Sequence, residues 1–354
     1  MKIQLLILVI LLFIVHPGFA QTTQYLADKP GKFILQNDLT KCPGIDFISL
    51  TKNVTAVAEW FRGKDSIVNK PVGFDASVSL SGNLCEKKTG PEYFGIQGHI
   101  NFSFHYFYLE NGRQQSASDW SAHDIEIHLN SPINLLSRQF DEAGFNSGDP
   151  PRLEQPLEEA LENLNKYYIS TPLEKEITPG VRLYNGGHLL VFNPSRPDIW
   201  TPVSVKEIME AKLAYYKVKH EIDSINYLKA LADWAKLNYK PDLVAGTDAY
   251  GLIKKEYLNF TAAELDKPAF SGPDDGISTI NAHGNGMPVV RFNTASWDRS
   301  LPLTAVQFLT MEYKPRSAND LEEFKRNNDG LVDYVGLFVN CLPVEKMEGL
   351  IQGK

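Results

Sequence analysis

Two stretches of the N-terminal half gather imidazoles and carboxylates onto single strand faces. GHINFSFHYFYL (98–109) alternates with the period of two that a half-buried strand requires. Ile100, Phe102, Phe104, Tyr106 and Tyr108 fall on one face, and His99, Asn101, Ser103 and His105 on the other. HDIEIHLN (123–130) sets Ile125, Ile127 and Leu129 against Asp124, Glu126 and His128. Pairing the two with apolar faces matched puts even positions against odd ones. The predicted register lays His105 across from Glu126 or His128, with Asp124 and Ser103 nearby. Such a group suits a divalent ion held by His105, His128 and Asp124, or acid–base work by His105, Glu126 and His128. An ordinary solvated face has the same pattern, because antiparallel sheets commonly wet one side.

A second candidate is the loop GPDDGISTINAHGNG (272–286), which carries Asp274, Asp275 and His283 between glycines and is followed by Asp298 and Arg299. Loops of this kind present catalytic groups from a rigid scaffold, so His283 is a further catalytic candidate. Trp120, Trp200 and Trp297 stand outside periodic apolar runs and are the candidate ligand-binding residues, suited to stacking on a sugar or anchoring a protein. No Gly-x-Ser-x-Gly elbow, phosphate loop or dinucleotide fingerprint occurs. His220-Glu221 opens like a zinc-protease helix, but Ser224 occupies the place of the second histidine.

The elements that must position these residues follow an apparent export signal. Lys2, the apolar run Ile3 to Val15, Pro17-Gly18 and the small residues Gly18 and Ala20 predict cleavage after Ala20 and a secreted or periplasmic product. The apolar run is too short for a membrane helix, and no later stretch is apolar enough to span a bilayer. In that oxidising setting the three cysteines read as a Cys42–Cys85 bridge plus a buried Cys341. With 35 basic against 43 acidic residues, net −8, the chain lacks the basic surface of a nucleic-acid binder.

Residues 21–150 are predicted as a β-rich domain with an antiparallel sheet, interrupted by a short helix over Asn53 to Phe61 started at Thr51 or Asn53. The segment 111–122 reads as a polar loop, and 144–156, with its prolines, as a linker or long surface loop. Residues 151–354 are predicted as a mixed domain. It begins with an amphipathic helix over 153–168 striped by Leu153, Leu157, Leu161 and Leu164. The region 204–238 reads as two helices, the first started by a Ser204–Glu207 capping box and the pair separated at Asp223-Ser224. Strands at 181–193, 287–293 and 304–313 and short helices within 318–351, one started by Asn319 or Asp320, complete the reading. NGGHLLVFNPSRPDIWTPVS (185–204) and NGMPVVRFNTASWDRSLPLT (285–304) align without gaps, a candidate internal repeat built on an Asn-Gly turn, a buried strand and a loop.

The expected fold class is therefore α+β, with a β-rich first half, a helical middle and a mixed C-terminal part. The expected function is a secreted binding or interaction protein whose partner is a small molecule, a glycan or a protein. The alternative is a secreted hydrolase using the His/Asp/Glu cluster, with or without a metal. The sequence names no cofactor.

Overall fold

In a computed structural model, which describes residues 23–82, 96–119, 121–139, 155–235, 249–272, 279–313, 317–328 and 330–353, the chain is α+β. Its strands are β1 (Gln24–Tyr25), β2 (Phe33–Asn37), β3 (Phe74–Ser81), β4 (Gly98–Glu110), β5 (Arg113–Ser116), β6 (His123–Leu129), β7 (Leu136–Gln139), β8 (Tyr167–Ser170), β9 (Leu173–Thr178), β10 (Val181–Tyr184), β11 (His188–Phe192), β12 (Trp200–Pro202), β13 (Phe270–Ser271), β14 (Ile280–Asn281), β15 (Met287–Phe292) and β16 (Phe308–Glu312). Its α-helices are α1 (Phe47–Arg62), α2 (Gln155–Leu164), α3 (Val205–Ala235), α4 (Ala249–Asn259), α5 (Ala262–Leu265), α6 (Ala318–Asn327) and α7 (Tyr334–Asn340).

The main sheet runs β2-β3-β4-β6-β16-β11-β10-β9, with β1 and β5 paired to the far end of the long β4. Among the described strands only the β2–β3 pair is parallel. Strands from both sides of the 144–156 segment enter it, since β6 lies beside β16. Alternation decides what each face meets. Phe74, Ala76, Val78 and Leu80, with Ile100, Phe102, Phe104, Ile125 and Ile127, join the buried stripe Leu50, Val54, Val57, Ala58 and Phe61 of α1 and Phe338 of α7. A second sheet, β14-β13-β15-β8-β7 with β12 on β15, packs only over the β16-β11-β10 half of the opposite face. Leu190, Phe192 and Phe308 meet Tyr168, Trp200 and Val290 there. The far side of that second sheet is covered by α2, α3 and α4. Among the described residues, the β3-β4-β6 half of the main sheet's outer face carries no such apolar cover.

Several expected boundaries move for local chemical reasons. α1 begins six residues before Asn53 because the Asp46 carboxylate accepts from the amides of Ile48 and Ser49, both at 3.1 Å. The 111–122 segment contains β5, closed on β4 by Asn111 and Gly112 at φ +51° and +73°, the left-handed pair that a two-residue hairpin turn needs. Helix α2 ends at Leu164, and Tyr167 to Ser170 are strand rather than helix. α3 is one continuous helix through Asp223-Ser224, because the Ser224 hydroxyl donates to the His220 carbonyl at 2.7 Å and is satisfied within the helix. Ser317, not Asn319 or Asp320, caps α6, with Asp320 completing the capping box.

The two similar segments share a strand and the turn after it. The Asn193 side chain accepts from the Ser195 amide at 2.9 Å, and that of Asn293 from the Ala295 amide at 3.1 Å. The strands belong to different sheets, and the paths then part: 200–202 form β12, whereas the Asp298 side chain folds its segment onto the Ser300 amide. Residues 1–20, with the expected cleavage site, lie outside the described residues. No described helix is long and apolar enough to cross a membrane.

Candidate functional site

On the uncovered half of the main sheet, β4 and β6 pair with His99 opposite His128, Asn101 opposite Glu126 and Ser103 opposite Asp124. The odd-against-even parity is as expected, but the register is shifted along the ladder. His99, not His105, joins His128 and Glu126. The two imidazole rings lie 4.7 Å apart at 32°. Glu126 Oε2 is 3.4 Å from His128 Nε2 and 3.8 Å from His99 Nε2. The donor atoms of all three side chains lie within 4.8 Å of one another.

Both Nε2 atoms are shielded from solvent, and among the described residues neither makes an aligned hydrogen bond, Glu126 being the acceptor that faces both. Leaving such nitrogens unpaired is unfavourable, since buried polar groups normally find a partner. The His99 Nδ1 side faces the Ser81 hydroxyl at 3.4 Å, which turns Nε2 toward His128 and Glu126. The Asn101 amide nitrogen donates to Ser103 Oγ at 3.2 Å, while its oxygen is buried and unpaired beside Glu126. Burial, then the neighbouring His99, push the His128 imidazole below its ordinary pKa, against the attraction of Glu126. A depressed pKa keeps the ring neutral, the form that binds metals.

Two imidazole nitrogens and one carboxylate oxygen form a donor set that zinc uses. With metal–ligand bonds of about 2.1 Å, tetrahedral geometry spaces the donors about 3.4 Å apart. The Glu126–His128 contact already meets that spacing. Closing the remainder takes small side-chain rotations, and Glu126, with 56% of its side chain exposed, is free to make them.

The other expected site residues stand elsewhere. His105 pairs across from Asp75 on β3, with its Nδ1 3.0 Å from the Ala117 carbonyl and its Nε2 3.9 Å from Asp119. Asp124 is exposed opposite Ser103 and belongs to no three-residue cluster among the described residues. The shift arises because sliding one strand by two residues leaves the apolar faces matched, so alternation alone does not select the register. His283 sits on the second sheet, in the exposed turn between β14 and β15, 3.9 Å from Glu264 of α5. Asp274 and Asp275 lie outside the described residues. Asp298 is held by the Ser300 hydroxyl and amide, which lower its pKa, and lies 3.5 Å from Arg196.

Trp200 and Trp297 are buried between the sheets rather than presented to a ligand. Trp200 lies on Phe292 at 4.9 Å, and Trp297 meets the edge of Phe308 at 6.4 Å. Trp120 and Cys85 lie outside the described residues; Cys42 is buried, and Cys341 is a free thiol whose sulfur donates to the Phe338 carbonyl.

A further polar group had no signal in the sequence because its members come from three distant elements. Tyr167 donates to Glu207 at 3.3 Å and Arg291 pairs with the same carboxylate at 3.0 Å. Burial and the Glu207 charge push the Tyr167 phenol up to about 12. The capping box at Ser204 is consequently half made: its hydroxyl accepts the Glu207 amide, while the Glu207 carboxylate pins α3 to β8 and β15. No family model matches the chain, and no curated protein or solved structure shows significant similarity to it.

Proposed function

We propose that this is an exported binding protein that takes up a divalent transition-metal ion, with zinc the best fit, through His99, Glu126 and His128. The observation that carries the reading is the pair of solvent-shielded imidazole Nε2 atoms, neither in an aligned hydrogen bond among the described residues, converging on one carboxylate. Metal bonds would satisfy both nitrogens at once. Imidazole and carboxylate donors select zinc or a similar borderline ion over calcium or magnesium, which prefer all-oxygen shells. Export agrees with the N-terminal segment.

Hydrolysis is the second reading. Three protein ligands leave a tetrahedral ion one position for water, and the exposure of Glu126 opens that position to solvent. A carbohydrate ligand stacked on Trp200 or Trp297 has no support, because both rings are buried.

The test is calorimetric titration with zinc, paired with thermal melts, on the parent and on His99→Ala, His128→Ala and Glu126→Gln. At zinc about 100 times the dissociation constant, binding adds about 2.7 kcal/mol of stability. The parent should bind one equivalent and melt higher, and each variant should lose most of that rise. His105→Ala should behave as the parent. A parent that binds no zinc, or a rise undiminished in His99→Ala, rules the site out. Release of p-nitrophenol from an activated ester, dependent on both zinc and Glu126, separates the hydrolase from the binding protein.

A further inference from the structure

The two edges of the main sheet differ in the way they meet solvent. β9, at one end, reads LEKEIT and is protected by exposed charges and by irregular register against β10. Charges and bulges are the usual guards against edge-to-edge pairing. β2, at the other end, reads FILQN: it has no charge, pairs with β3 in unbroken register, and exposes Ile34 at 43% and Leu35 at 39%. Among the described residues nothing pairs with its outer side.

Which backbone groups face outward follows from two hydrogen bonds. The Lys32 carbonyl accepts from Ala76 and the Asp38 amide donates to Leu80, so residues 32 and 38 both turn toward β3. A strand residue points its N–H and C=O to the same side, and the sides alternate. Lys32, Ile34, Gln36 and Asp38 therefore serve the β3 ladder, while Phe33, Leu35 and Asn37 offer theirs outward. The flanking charges are opposite: Lys32 before the strand and Asp38 after it are both exposed, and among the described residues neither joins an ion pair.

We propose that β2 is a homodimer interface, pairing antiparallel with β2 of a second copy about a two-fold axis through Leu35. In that register Leu35 meets Leu35 of the partner subunit and Phe33 meets Asn37 of the partner subunit, each as a hydrogen-bonded pair that uses the outward groups. Lys32 falls opposite Asp38 of the partner subunit, and Asp38 opposite Lys32 of the partner subunit, so the unguarded edge is charge-complementary to itself and to no other register of itself. Such an isologous contact closes at two subunits and joins the two main sheets into one. The strand is short, so the dimer is concentration-dependent rather than obligate.

Sedimentation equilibrium on the purified protein, with and without zinc, measures it. The parent should dimerise reversibly, and Leu35→Lys should be monomeric. Lys32→Glu and Asp38→Lys each set like charges across the axis twice and should weaken the dimer about tenfold. The double variant Lys32→Glu/Asp38→Lys should recover the parent affinity, which a merely structural role of either residue would not produce. Thermal melts of dilute samples check that each variant remains folded. A parent monomeric throughout the accessible concentration range overturns the proposal. So does a dimer insensitive to Leu35→Lys, or one weakened by both single reversals and not rescued by the double, since the edge would then serve another partner or none.

Discussion

Asn130 directly follows β6 and ties the end of that strand to the segments before β4 and β16. It is 1% exposed and has φ +54°. Its amide nitrogen donates to the Ile96 carbonyl at 3.1 Å and the Ala305 carbonyl at 2.9 Å, and its oxygen accepts the Gln307 amide at 2.9 Å. Asn130→Ala deletes three buried hydrogen bonds at about 1 kcal/mol each and leaves their partners unpaired. It also places a Cβ residue without asparagine's tolerance in the left-handed region, at about 1 kcal/mol. The expected loss is about 4 kcal/mol, and about 3 kcal/mol for Asn130→Gly, which keeps the backbone at ease. Guanidinium unfolding followed by tryptophan fluorescence and far-ultraviolet circular dichroism measures both. Because His128 lies two residues upstream on β6, the alanine variant should also lose zinc affinity more than its fold content. If Asn130→Ala lies within 1 kcal/mol of the parent at unchanged m-value, the side chain does not tie these segments as argued, and neither does it hold the register of the site.

Two further outcomes are expected. Burial, then the charge of Asp28, raises the Tyr334 phenol to about 12. Between pH 10 and 12 the unfolded chain releases this proton while the folded one retains it, so stability is full below pH 10 and falls through that window. The parent should lose about 2 kcal/mol more than Tyr334→Phe across it in urea unfolding at stepped pH, and equal losses would refute the assignment. Peptide mapping without reductant should recover Cys42 joined to Cys85 and Cys341 alkylated. Reduction should lower stability by about 4 kcal/mol for a loop of that length, and alkylation of native Cys42 would exclude the bridge.

The sequence by itself determined the elements whose signal is local. The period-two alternation at 98–109 and 123–130 named both strands, their apolar faces and the parity of their pairing, because side-chain direction follows from strand geometry alone. Asn185-Gly186-Gly187 marked the β10–β11 turn for the same reason, and Asn111-Gly112 carried an equal signal for β5. What alternation leaves degenerate is any slide by two residues. Asn130 bonding to Ile96, just before β4, and to Ala305 and Gln307, with the Ile96 amide on the Leu303 carbonyl, ties both strands to the segment before β16 and sets His128 against His99 rather than His105. The fate of Trp200 and Trp297 was likewise a tertiary matter: neither belongs to a periodic apolar run, Trp200 opening the three-residue β12 and Trp297 lying in a loop, and the packing of the second sheet over β11 and β16 buries both. The His99–Glu126–His128 cluster divides along that line. Its residue types and the face they share are written in the strands, whereas the meeting of their donor atoms depends on contacts more than a hundred residues away, which no local pattern encodes.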